Sequence, residues 1–365
     1  MGTQVKRIRY AVVGAGHIAQ EAILPAFQHA TENSELVALI SGDPDKRGVL
    51  CRRHGIEFEG GYEELEATLR RARADAVFIA TPNALHKEHV IRAAEAGVHV
   101  LCEKPLATSV IDCELMSEAC ERNQVKLMVA YRLHFEEATL RAIDLVKRGG
   151  IGEPRVFDSV FTHVVRPGDI RTREELGGGA AYDLGVYCIN AARSLFQAEP
   201  TSVFATTIKK NGVDDTTTAM LRFGGDRVAT FTISNSVASV SSYRIAGTEG
   251  DLRVEPAYEY ASGLKHHLTI DEKTSSDAFG KRDQFAPELI YFSRCILENQ
   301  EPEPSGEEGL LDIRVVEAIL QSAETGVVVE LEPRDRERRP GLEQEIYRKP
   351  ISNPKIVDAP SPSLR

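Results

Sequence analysis

Short apolar runs alternate with longer amphipathic stretches through the first third of the chain. Runs at 7–13, 36–40, 76–80, 98–102 and 126–130 are rich in Val, Ile, Leu and Ala and read as buried strands. Between them, apolar residues recur at helical spacing over 19–29, 62–73, 84–96 and 109–122. Ser109, with Asp112 three residues on, predicts an N-cap for the last of these helices. Strands that alternate with helices predict a parallel, doubly wound sheet.

The pattern changes at Gly149-Gly150, after a helix predicted over 135–148 that links two halves. From there many runs alternate with period two: 155–165, 201–208, 216–223, 228–234, 242–247, 251–255 and 266–270. Such alternation predicts a largely antiparallel sheet with one covered face. A helical insert over 180–196, announced by Gly177-Gly178-Gly179, interrupts it, and helices over 283–298 and 307–325 follow. Residues 333–365 turn polar, charged and proline-containing, and read as a tail that is mobile or wraps a partner subunit.

A chain of 365 residues exceeds one typical core, so two domains are expected. The net charge of −11 and the lack of a basic stripe argue against nucleic acid as a partner. No apolar window reaches membrane-spanning length and no signal peptide is visible, which predicts a cytoplasmic protein with no membrane association. Six scattered cysteines without a C-x-x-C pair fit reduced thiols, and His266-His267 lacks further ligands at suitable spacing, so no metal is expected.

Candidate chemistry gathers at the strand ends. Gly14-Ala15-Gly16-His17-Ile18-Ala19 follows the first strand and opens a helix, the G-x-G-x-x-G/A pattern of a dinucleotide pyrophosphate loop. The second strand ends in Ser41-Gly42-Asp43 with Lys46 and Arg47 after it. A small hydroxyl with nearby cations, in place of an acidic residue, favours NADP over NAD. The alternative puts Lys46 and Arg47 on the solvated face of the next helix. Thr81-Pro82-Asn83, Glu103-Lys104-Pro105 and Tyr131-Arg132 end further strands, so parallel order crowds them along one edge. His86, just beyond Asn83, either contacts the nicotinamide side of a cofactor or caps its helix. His17, inside the loop, is expected to position cofactor. The fold class is therefore α/β: an N-terminal Rossmann sheet over 1–132, then an α+β domain over 133–332 with a large, mostly antiparallel open-faced sheet.

Asp183 and Tyr187 stand four residues apart on the insert, one face of a regular helix. A free tyrosine titrates near ~10, and an ammonium such as Lys104 favours the phenolate, making it a usable base. Asp183 then binds a sugar hydroxyl or orients the lysine. The alternatives are a half-buried aromatic for Tyr187 and a helix-start carboxylate for Asp183. His163, in a strand of the second half, is a further candidate for binding substrate.

These motifs, with Leu127-Met128-Val129-Ala130-Tyr131-Arg132 and Gly247-Thr248-Glu249-Gly250, resemble the glucose–fructose oxidoreductase/inositol dehydrogenase (Gfo/Idh/MocA) family up to about Glu330. Many relatives carry histidine where this chain has Tyr187. Tyrosine there most resembles glucose–fructose oxidoreductase and related aldose and dihydrodiol dehydrogenases. The resemblance implies an NADP-dependent oxidoreductase that oxidises the anomeric hydroxyl of an aldose such as glucose or xylose to the lactone. Lys104 and Tyr187 are then catalytic, Asp183 binds or orients sugar, and Arg132 and Arg171 fall at polar substrate positions. It implies contacts to cofactor from Gly14, Gly16, His17, Ile18, Ser41, Gly42, Lys46, Thr81, Asn83, His86, Glu103, Lys104 and Arg132. It also implies a cis Pro105 and a homodimer or homotetramer built through the open sheet face. A periplasmic relative carries an export signal and an N-terminal arm over its cofactor; neither is visible here, so permanent cofactor retention is not implied. Reaction on another polyol, keto sugar or dihydrodiol, and an NADP-binding regulator without activity, are the alternatives.

Overall fold

The computed structural model describes residues 6–334, 336, 338–352 and 354–364. They form two compact units.

The first unit comprises Met1–Arg132, Asp283–Leu310 and Tyr347–Ser361. Its sheet has β1 (Ile8–Val13), β2 (Ser34–Ile40), β3 (Phe58–Gly60), β4 (Ala76–Ile79), β5 (His99–Glu103) and β6 (Leu127–Ala130), in the order β3-β2-β1-β4-β5-β6. All neighbours pair in parallel, the doubly wound arrangement the apolar runs predict. The strands are buried almost throughout because helices cover both faces. Ser109 caps the helix Val110–Arg122, accepting from Asp112 N at 3.1 Å. The three-residue β3, too short to show periodicity, escapes the sequence reading.

Asp283–Leu310 joins this unit although it follows the second sheet in sequence. The helix Ala286–Leu297 buries Ala286, Leu289, Ile290 and Phe292. It also satisfies polar groups of the first two strands: Ser293 Oγ lies 2.9 Å from the Tyr10 hydroxyl and 2.8 Å from Ser34 Oγ. Leaving those hydroxyls unpaired in an apolar core would cost about 1–3 kcal/mol each. Part of the tail returns here too. Gln20 Nε2 donates to Val357 O at 2.9 Å and Gln20 Oε1 accepts from Val357 N at 2.7 Å, while Arg53 donates to Lys355 O. Among the described residues of the tail expected to be mobile or to wrap a partner, Lys355 and Val357 are thus hydrogen-bonded to this unit.

The second unit comprises Leu133–Arg282, Leu311–Ile346 and Pro362–Arg365. Its nine strands are β7 (Pro154–Val164), β8 (Pro200–Lys210), β9 (Val213–Phe223), β10 (Arg227–Ser234), β11 (Ser236–Gly247), β12 (Gly250–Val254), β13 (Lys265–Ile270), β14 (Lys273–Ala278) and β15 (Val329–Glu330). They lie in the order β14-β13-β12-β11-β7-β10-β9-β8-β15. Every neighbouring pair is antiparallel except β7 and β10, which are parallel. Helices Glu137–Lys147, Val186–Phe196 and Gly306–Thr325 supply apolar residues to the core on one face.

All six cysteines are buried and free. Among the described residues, no helix is long and apolar enough to cross a membrane. No group of three or more His, Cys, Asp or Glu among them is arranged to hold a metal ion.

Candidate active site

The glycine loop leaves β1 beside β4. Gly14 has φ +106°, and a Cβ there would lie 2.5 Å from Ala80 O, so only glycine fits this approach. A Cβ on Gly16 would meet no atom within 4 Å. That open backbone, just before a helical turn that includes Ile18 as its cap and runs over Ala19–Ile23, fits a pyrophosphate. The turn is a π-turn, with backbone bonds to the fifth residue, where the sequence predicts a regular helix. His17 is engaged within the unit: Nδ1 stands 3.1 Å from Ala359 O and Nε2 pairs with Glu21.

Ser41 ends β2 and is buried. Its carbonyl accepts from Arg47 Nη1 at 2.5 Å, and Tyr62 hydrogen-bonds to Ser41 and Gly42. Tyr62 packs so close that a Cβ on Gly42 would touch its ring at 3.3 Å. Asp43 is spent as the N-cap of the helix Pro44–His54, its Oδ1 3.0 Å from Lys46 N. The acidic residue is therefore turned to the helix, and the strand end keeps a hydroxyl with Lys46 and Arg47 on the first turn. Both cations are largely covered, and Arg47 pairs with Glu59 as well as with Ser41.

Beyond β4, Thr81 Oγ1 lies 3.3 Å from His89 Nδ1, and Asn83 opens the short turn Asn83–Leu85. His86 corrects the sequence reading. It is fully buried, with Nε2 3.0 Å from Thr81 O and Nδ1 2.9 Å from Pro105 O. It neither caps its helix nor opens toward a cofactor; it ties the turn after β4 to the turn after β5. Adjacent parallel strands bring two carbonyl-bearing turns together; buried carbonyls need donors, and the one N–H of a neutral imidazole serves one of the two. Burial lowers its pKa, against the pull of those carbonyls.

Lys104 follows the last residue of β5, and the peptide to Pro105 is cis. Register sets Glu103 opposite Ala130, so Lys104 and Tyr131 leave adjacent strands at one level. Arg132 is buried and donates to the Gln284 side chain. Near these groups lies a residue that no sequence pattern marks. Glu288 is fully buried with neither carboxylate oxygen hydrogen-bonded. Burial, reinforced by the Glu103 charge and opposed by Arg132, raises its pKa well above the ordinary carboxylate value.

In the second unit a separate polar cluster forms on β7 and the helical insert. Arg171 Nε donates to Asp183 Oδ2 at 2.7 Å, and its Nη1 donates to Asp169 at 3.1 Å. His163 Nε2 stands 3.5 Å from the same Asp183 oxygen. Burial works against the Arg171 charge, but the Asp183 and Asp169 carboxylates raise its pKa above the ordinary value. The Tyr187 ring meets the edge of Phe161 at 5.6 Å, and Phe161 in turn packs against His163 at 6.4 Å and Tyr258 at 4.9 Å. The insert begins as a π-turn over Ala181–Gly185 and continues as the α-helix Val186–Phe196. Asp183 sits in a wider turn than the 3.6-residue one that the four-residue spacing assumes. Strand β7 lies beside both Asp183 and Tyr187, through His163 and Phe161. Tyr62, Gln20 and Asp214 also escape sequence reasoning, because each bonds a partner distant in the chain, and Glu288 escapes it because its burial is set by the fold.

Residues 8–131 match the oxidoreductase family with an NAD-binding Rossmann fold, and residues 139–253 match the GFO/IDH/MocA C-terminal domain. The chain is 34% identical over 337 residues to a D-xylose 1-dehydrogenase [NADP(+)] of Haloarcula marismortui, covering 89% of this chain and 93% of that one. Among solved structures it is similar to an aldose-aldose oxidoreductase from Caulobacter crescentus complexed with glycerol, with TM-score 0.85 and 34% identity, covering 89% of this chain and 100% of the other. It is also similar to a 3-ketoreductase from Actinomadura kijaniata in complex with NADP, with TM-score 0.81 and 29% identity over 87% of this chain and 98% of that one.

Proposed function

We propose, for a chain that belongs to the GFO/IDH/MocA oxidoreductase family, NADP-dependent oxidation of the anomeric hydroxyl of an aldose, of the glucose or xylose type, to the lactone. The relatives that carry xylose dehydrogenase and aldose oxidoreductase names support the substrate class. The observation that carries the reading is the Arg171–Asp183–His163 cluster, with Tyr187 against the same strand. It supplies a charged acceptor and a phenol, as a sugar hydroxyl losing its proton requires.

In the reaction the anomeric carbon gives up a hydride, its hydroxyl gives up a proton, and the carbon–oxygen double bond forms. When bound, the nicotinamide supplies the hydride acceptor. Tyr187 receives the proton as general base, and Lys104 is the second catalytic group. Asp183, held by Arg171 with His163 beside it, accepts from a sugar hydroxyl. Arg132, tied to Gln284, supports the strand-end edge that carries Lys104.

An absorbance screen at the nicotinamide band, with sugars, polyols and dihydrodiols, tests this directly. NADP reduction is expected with at least one aldose, with NAD the weaker cofactor. Ser41→Asp sets a carboxylate beside the 2′-phosphate and should weaken NADP by about tenfold or more, roughly 1.4 kcal/mol. Cofactor binding without turnover of any substrate would favour the regulator instead.

The same reading includes a homodimer or homotetramer through the open sheet face. Phe204 pairs with Met220 across β8 and β9, and with Ile208 and Val156 it leaves exposed apolar surface on that sheet. Patches of this kind mark interfaces. Light scattering should give a multiple of 40.2 kDa, reduced by Ile208→Glu with Met220→Glu. A monomeric wild type would count against it.

A further inference from the structure

The helix that carries Asp183 and Tyr187 has no cap of its own. Ala180 precedes its first turn and offers no side-chain hydrogen bond. A buried helix start leaves backbone N–H groups without partners, at about 1–3 kcal/mol each. Here the partner comes from another element. Asp214, the second residue of β9, is 4% exposed, and its Oδ2 accepts from Ala181 N at 2.7 Å. Ala180 N also bonds to this carboxylate. Thr217 Oγ1 stands 3.4 Å away on the same strand.

The glycine run serves this contact. A Cβ on Gly179, where φ is +129°, would lie 2.1 Å from Asp214 Oδ1. A Cβ on Gly178 would lie 2.6 Å from Arg171 O. Gly178 thus lets the Arg171 loop close on the helix start, and Gly179 lets the Asp214 carboxylate do the same. Asp183 N bonds back to Gly179 O at 3.1 Å, so the anchored segment is continuous with the residue that meets Arg171.

We infer that Asp214 is a positioning residue for the reaction: its carboxylate caps the helical segment from β9 and so sets where Asp183 and Tyr187 stand. The inference rests on the function proposed above. Asp214 touches neither substrate nor reacting atoms and acts through the backbone of Ala180 and Ala181. Its neighbour Asp215 has other work, pairing with Lys210 at 3.0 Å and Ser236 at 2.6 Å.

Burial raises the Asp214 pKa to about 6, against the lowering pull of the Ala181 and Ala180 N–H groups. The carboxylate is a full acceptor above that pH and a weaker one below it. Charged groups around it are Lys209 and Lys210 on β8, Asp215 on β9, Glu174 near Gly212, and Arg171, Asp183 and His163 across the helix start.

The test uses the full chain with Asp214→Asn, Asp214→Ala and Asp215→Asn. Hydrogen exchange over 177–190 comes first because it needs no turnover. Faster exchange there in both Asp214 variants, with the glycine loop at 14–19 unchanged, is the expected result; exchange equal to wild type overturns the inference even if no sugar is oxidised. With sugar turnover, Asp214→Asn should lower kcat/KM by about ten- to a hundredfold, the scale of a misplaced reacting group, with the NADP dissociation constant within about twofold of wild type. The fall in kcat/KM as pH drops through about 6 should flatten in the same variant. Asp215→Asn should keep wild-type turnover. A lower melting temperature with unchanged kcat/KM and pH profile would reduce Asp214 to a structural cap and overturn the proposal. Wild type without sugar turnover, but with the exchange change present, would sink the sugar reading and leave the anchoring role standing.

Discussion

Lys104→Ala and Tyr187→Phe each lower kcat for sugar oxidation by about 10²-fold or more, while NADP affinity stays near that of wild type. The size is that of general acid–base groups. Lys104 follows β5 at the carboxyl edge of a parallel sheet, where open α/β folds bind their ligands. The ammonium is removed in the alanine variant without touching the strand, whose residues 100–102 are fully buried. Phenylalanine at 187 keeps the ring that packs against Phe161 and Tyr258 and deletes only the oxygen. If both groups serve one proton, the double variant loses little more than the worse single one, because residues acting as a unit are not additive. Stopped-flow turnover and fluorescence titration of NADP measure the two quantities separately. Turnover at wild-type level in either single variant would remove that residue from the mechanism.

Arg193→Met destabilises the protein by about 3–5 kcal/mol, the cost of stranding one partner of a buried ion pair. Arg193 is fully buried between two carboxylates. Its Nη1 donates to Asp312 at 2.5 Å, and its Nε and Nη2 reach Glu199 at 2.5 and 3.0 Å. Asp312 also accepts from Asn190, and Glu199 from Arg339. Burial opposes the guanidinium charge, but Asp312 and Glu199 raise its pKa, so it stays a cation. Methionine fills the volume and leaves Asp312 charged in the interior. Lysine would not rescue it, since one ammonium cannot span both forks. Adding Asp312→Leu to Arg193→Met should recover part of the loss, because removing both partners spares the unpaired charge. Urea unfolding followed by circular dichroism measures each step. A loss under about 1 kcal/mol for Arg193→Met would mean the network is hydrated and not the buried pair described.

Local signals made the first unit legible. A glycine needed at positive φ, a serine followed by an acid, and apolar runs of strand length each act within a few residues. Gly14, Ser109 and the strands β1, β2, β4, β5 and β6 were readable on that basis. The short or exposed edge strands β3, β14 and β15 were not, because their pairing comes from a neighbour and not from their own pattern. His86 shows the same limit at the site. Its place after Thr81-Pro82-Asn83 suggested a cofactor contact, yet the carbonyls it meets include one nineteen residues away. Asp183 and Tyr187 were found as candidates from their four-residue spacing, but the wider turn that carries Asp183 was not. Nor was strand β7, which lies beside both through His163 and Phe161.

Glu103-Lys104-Pro105 and the glycine loop were fixed in order and level by sequence alone, since parallel strands must end at one edge. The chain by itself also determined the class of each sheet, because burial on two faces or one leaves a run or an alternation. The tertiary structure decided what depends on distant partners. Asp283–Leu310 joined the first unit by satisfying hydroxyls of β1 and β2. Strand β7 paired in parallel with β10, some seventy residues on. Asp214 became the cap of a helix thirty-three residues before it. Periodicity carries the hydrophobic effect along a chain, but a buried polar group is satisfied by whatever the fold brings to it, and no local pattern encodes that partner.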